Sequence, residues 1–76
     1  MIITSNEELL EDIKNTRREI LGYQLIKNGY DELLKITDLD DINRRNFRFQ
    51  FQSYVDKEKG AGECLQELLK LAGYSA

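Results

Sequence analysis

Asn46-Phe47-Arg48-Phe49-Gln50-Phe51-Gln52-Ser53-Tyr54-Val55 can be read in two ways, and the choice between them sets the fold. Phe47, Phe49 and Phe51 alternate with Arg48, Gln50 and Gln52, and Val55 keeps their parity, which is the period of a half-buried strand. Aromatic and β-branched residues also favour strands. At helical spacing, Phe47, Phe51, Tyr54 and Val55 form one stripe, and Ile42 and Phe49 fall on the opposite side. A strand here has no mate except Ile2-Ile3 or its own copy, and an isolated pair of strands is marginal. The helical reading is therefore preferred, with a helix apolar on two faces. A small α+β arrangement with a strand at 47–55 is the alternative.

The flanks point the same way. Upstream, Asp38-Leu39-Asp40-Asp41 offers Asp40 or Asp41 as a helix cap. Downstream, Asp56-Lys57-Glu58-Lys59-Gly60-Ala61-Gly62 reads as a polar, glycine-bearing connection. A last helix then follows on Ala61, Cys64, Leu65, Leu68, Leu69 and Ala72, stopping at Gly73.

Toward the N-terminus, Ser5 or Asn6 can cap a helix over 6–21, with Glu7 and Glu8 against its positive end and Ser5/Glu8 at capping-box spacing. Its stripe is Leu9, Leu10, Ile13, Ile20 and Leu21. Beyond Gly22 the apolar residues Tyr23, Ile26, Tyr30, Leu33 and Leu34 are rotated by more than about 100° from that stripe. One straight helix cannot bury both against one surface. A turn at Asn28-Gly29 and a short second helix near 30–37 resolve the conflict. The predicted fold is all-α: residues 1–76 form a single helical domain, a small three- to four-helix bundle.

Seventy-six residues lie near the lower limit for a chain that folds alone, and a small helical chain often gains stability from a second copy, so a homodimer is expected. The charged fraction of 33%, with both signs mixed, belongs to a folded composition. A net charge of −3 disfavours non-specific nucleic-acid binding, which depends on Lys and Arg displacing counterions from phosphates. The single Cys64 excludes an internal disulfide and suits a reducing compartment. Neither a signal peptide nor a membrane span is apparent, so a cytoplasmic location is expected.

The chain has no histidine, which removes the usual general base and the usual nitrogen ligand for zinc. Asp38, Asp40 and Asp41 resemble a calcium loop only superficially: Ile42, Asn43 and Phe49 stand where a ligand, the turn glycine and a bidentate Glu are needed. Capping explains these aspartates better. Cys64 lies on the Leu65/Leu68 stripe and reads as a small buried hydrophobe. Glu7/Glu11 and Glu63/Glu67 are ordinary polar-face pairs. Gly60-Ala61-Gly62 falls short of any phosphate-binding fingerprint, and Glu63 opposes an anion there. No catalytic residue, cofactor or metal is expected.

What remains are residues suited to contact. Arg44, Arg45 and Arg48 lie among the phenylalanines, and Tyr23, Tyr30, Tyr54 and Tyr74 combine a broad apolar ring with one hydroxyl. Arginine and tyrosine are enriched at the energetic centres of interfaces. Arg44, Arg45, Arg48, Tyr23, Tyr30 and Tyr54 are therefore the candidate partner-binding residues. The expected function is a non-enzymatic protein-interaction module: a small regulator, adaptor, antitoxin or phage-type inhibitor that occupies a partner's surface. The alternative is a nucleic-acid-associated protein using the Arg44/Arg45/Arg48 cluster, with guanidiniums on phosphates and rings on bases.

Overall fold

A computed structural model of the chain describes residues 6–73; the Ser5 capping positions, Ile2-Ile3 and Tyr74 lie outside them. The described residues form two long helices, α1 (Asn6–Leu34) and α2 (Asp41–Leu71), packed side by side as an antiparallel hairpin. The described residues are all-α, as the sequence predicts, but they form two helices rather than three or four.

Two expected breaks, the turn at Asn28-Gly29 and the connection over 56–62, are absent. Helix α1 runs through Gly22 and through Asn28-Gly29, and α2 runs through both Phe47–Val55 and Gly60-Ala61-Gly62. The common cause is a line of inward residues with a seven-residue repeat. On α1 it is Leu9, Ile13, Thr16, Ile20, Tyr23, Lys27, Tyr30 and Leu34; on α2 it is Arg44, Phe47, Phe51, Tyr54, Glu58, Ala61, Leu65, Leu68 and Ala72. Alternating steps of three and four residues keep one seam facing the partner helix along its whole length. Each helical glycine costs about 1 kcal/mol relative to alanine. Breaking the helix there would expose every inward residue beyond it, a larger loss. A strand at 47–55 fails for the same reason: Phe47, Phe51 and Tyr54 turn inward at helical spacing, and Phe49 points away, 70% exposed.

The seam is thin. Leu9, Ile13 and Ala61 are buried, as is Thr16, whose hydroxyl donates to the Asp12 carbonyl at 2.8 Å. Thr16 and Ala61 are the small buried members of the two lines. At the closed end the seam is aromatic. Tyr30 stacks on Tyr54 with ring centres 6.1 Å apart, and it lies 5.9 Å from Phe47. Tyr23 meets Tyr54 at 6.1 Å. Offset and tilted rings at these separations add to the burial of their area.

Residues 35–40 join the helices. Asp40 caps α2, its carboxylate accepting from the Asn43 backbone N–H at 2.7 Å and from the Asn43 side-chain amide at 2.8 Å. One of the two caps proposed from sequence is thus the one used. Helix α1 has no basic residue in its last turn. Arg44 supplies the charge from across the loop, donating to the carbonyls of Leu34 at 3.2 Å and Ile36 at 3.1 Å. The Leu34 carbonyl is among the acceptors that a helix end leaves without an intrahelical partner, and the Ile36 carbonyl lies in the connection just beyond it. At the far end, Gly73 takes φ of +87° and donates to the Lys70 carbonyl, stopping α2 as its position predicts.

The hairpin is a rod of 53 × 20 × 18 Å with a radius of gyration of 16.7 Å, against about 11 Å for a compact domain of this length. The chain exposes 6129 Å², whereas a compact monomer of its mass exposes about 4800 Å². No described side chain is fully buried. No helix among the described residues is long and apolar enough to cross a membrane.

Candidate partner-binding site

The six candidate residues separate into two groups. Tyr23, Tyr30, Tyr54 and Arg44 are half-buried in or beside the seam. The tyrosines pack on one another and on Phe47, and Arg44 holds the end of α1. Lys57 lies over the free side of Tyr54, its Nζ 4.5 Å from the ring centre. Such a cation above an aromatic face is attracted to the ring's negative quadrupole.

Arg45 and Arg48 are exposed, and they lie on α2 one turn before Phe49 and immediately before it. Ile42, one helical repeat before Phe49, is 82% exposed. Ile42, Arg45 and Phe49 therefore share the outer face of α2 near the closed end, and Arg48 lies along its edge. Two large apolar side chains and two guanidiniums stand there in water, with no ion pair to either arginine among the described residues. The Ile42/Phe49 pairing was visible in sequence as the second face of an ambiguous helix; what sequence could not show is that none of the described residues covers it.

A polar contact that sequence reading missed lies inside the seam. Lys27 donates from Nζ to both carboxylate oxygens of Glu58, at 3.2 and 3.0 Å, joining the two helices. Each side chain is 24% exposed. The signal was available: Lys27 and Glu58, with Thr16 and Arg44, are the polar members of two lines that are otherwise apolar or aromatic. Polar residues at such positions fix which helices pair, and in what register.

Cys64 is exposed, which corrects its reading as a buried hydrophobe. The Leu65/Leu68 line faces α1, and Cys64 sits one step around the helix beside Asp12, Asn15 and Glu19. Among the described residues no cluster of His, Cys, Asp and Glu could hold a metal ion. The concavities are grooves along the helix boundary, such as the one lined by Leu10, Ile13, Arg17 and Leu69. Comparison with protein-family models, with curated proteins and with solved structures finds no match to this chain.

Proposed function

We propose that this chain is a non-enzymatic protein-interaction module that works by occupying a partner's surface in the cytoplasm. The observation that carries the reading is the exposed area, about 1300 Å² above that of a compact monomer of this mass. A typical partner contributes about 800 Å² to a stable interface, so the excess is of the right order. Among the described residues nine large apolar side chains contribute to it, Ile42 and Phe49 among the most exposed. The Ile42/Phe49 face of α2, bordered by Arg45 and Arg48, has the composition of an interface centre: an aromatic anchor with arginines around it. Arg44 and the three seam tyrosines support that face by holding the closed end rigid, since a preorganised surface loses less entropy on binding.

The test is retention from a lysate of the source cells on the immobilised chain, compared with a Phe49→Asp/Arg48→Glu variant. A protein held by the first and lost by the second, with helix content unchanged, supports the reading. Identical retained sets would sink it. Arg45 and Arg48 beside an exposed ring also suit a single-stranded nucleic acid. That second reading requires binding of a labelled oligonucleotide that weakens as salt rises.

A further inference from the structure

We propose that the outer face of α1 is a self-association surface on which a second copy docks with its α1 antiparallel, making a four-helix assembly from two hairpins. The proposal rests on the interaction reading above and assigns it a second, separate surface. On the side of α1 turned away from the seam Leu21 and Leu25 face solvent, Leu25 72% exposed, and Ile26 and Leu33 lie on the adjoining flank, roughly a quarter-turn from the seam. Gly22 and Gly29 lie between them on the same side. A Cβ built on either glycine meets nothing within 4 Å, so the hairpin's own packing does not require a glycine at either position. Their absent side chains leave two notches beside Ile26, where another helix can approach closely.

The occupant is indicated by charge. Arg18, Leu25 and Glu32 are spaced by seven residues and form one line along this face, with opposite charges at equal distances from Leu25. Neither charged side chain holds an ion pair among the described residues. A two-fold interface must be self-complementary: what residue i meets at j, j must meet at i. An antiparallel pairing centred on Leu25 satisfies this, setting Arg18 against Glu32 of the second copy, Glu32 against its Arg18, and Leu25 against itself. The same operation brings Gly22 close to the second copy's Gly29. A parallel pairing would stack Arg18 on Arg18 and Glu32 on Glu32. Exposed ion pairs add little affinity, so the leucines and Ile26 supply the attraction and the charges select direction.

Sedimentation equilibrium between about 5 and 200 μM tests the proposal, with circular dichroism as the check on folding. The chain is expected to dimerise, and Leu25→Glu to remain monomeric throughout. Arg18→Glu, which places like charges at both ends of the interface, should weaken the dimer at least about tenfold. Arg18→Glu/Glu32→Arg restores complementarity and should return the constant to within about threefold. All three positions are solvent-exposed, so hairpin stability should change little. In a Cys64→Ser background, an Arg18→Cys chain mixed with a Glu32→Cys chain should form a crossed disulfide, and neither should crosslink efficiently with itself. A wild-type monomer at 200 μM, a dimer indifferent to the charge swaps, or efficient self-crosslinking of Arg18→Cys would each overturn the proposal. Retention of a partner through Phe49 is independent of these outcomes, so a monomer that still captures one removes the dimer and leaves the interaction reading intact.

Discussion

Replacing Lys27 with methionine would leave Glu58 in the seam without its partner, and the cost can be worked from the geometry. At 3.0 Å, two unit charges attract by about 2.8 kcal/mol at an effective dielectric near 40, midway between surface and bulk values. Desolvation and side-chain ordering offset much of that, so the intact pair contributes little net stability. Removal of one partner is a different matter. An unpaired, fully buried charge costs about 3–5 kcal/mol. Each side chain here retains 24% of its exposure, which lets Glu58 swing partly toward water. The expected loss for Lys27→Met is therefore about 2 kcal/mol, a fall in melting temperature of roughly 8–16 °C for a domain of this size. Glu58→Leu should cost a similar amount. The double variant Lys27→Met/Glu58→Leu should return to within about 1 kcal/mol of the parent, because two apolar residues suit the seam. Urea titrations of the four proteins complete a double-mutant cycle with a coupling of about 3 kcal/mol. Two single variants costing under about 0.5 kcal/mol each, with additive effects, would refute the claim that this pair is jointly accommodated in the seam. The double variant should also lose register selectivity, visible as mixed oligomers in sedimentation.

The helical glycines of α2 offer a gain in stability. Neither Gly60 nor Gly62 meets any atom within 4 Å of a built Cβ, so Gly60→Ala and Gly62→Ala should each stabilise by about 0.5–1 kcal/mol in thermal melts; a loss at either would contradict the open space. Arg44→Met removes the two donors that hold the Leu34 and Ile36 carbonyls and should cost about 1–2 kcal/mol, with amide exchange in the last turn of α1 accelerated before the rest. Tyr30→Ala breaks the ring contacts to Phe47 and Tyr54 and should cost about 2–4 kcal/mol, whereas Phe49→Ala, on the exposed face, should stay within about 0.5 kcal/mol. Asp40→Ala deletes the α2 cap and should cost about 1 kcal/mol.

Helix class, the Asp40 cap and the Gly73 stop were legible because each depends on a few neighbouring residues. The hairpin was not, and the reason lies in particular side chains. Leu10 and Leu21 joined Leu9, Ile13 and Ile20 in an apparent stripe although both are exposed, and Ile26 and Leu33 did the same beyond Gly22. The inward line passes instead through Thr16 and Lys27, which hydrophobicity alone would discard. Once they are admitted, the supposed rotation at Gly22 disappears and one helix suffices. Gly60-Ala61-Gly62 misled for a similar reason: Ala61 is a seam residue whose small size suits close helix approach. Of the candidate residues, Arg45 and Arg48 were singled out by residue type and are exposed, while the inward tasks of Arg44 and the tyrosines depend on a partner helix that only the folded chain provides.

The absence of any fully buried side chain among the described residues bears on how this protein responds to heat. Unfolding releases little newly hydrated apolar area, so the accompanying heat-capacity increment should fall below the usual roughly 12–15 cal/mol/K per residue. A small increment flattens the curve of stability against temperature, making the loss of structure on warming gradual and deferring cold denaturation. A rod of this kind would hold nearly constant stability across a wide thermal range, and association that hides more of its surface should sharpen the melt.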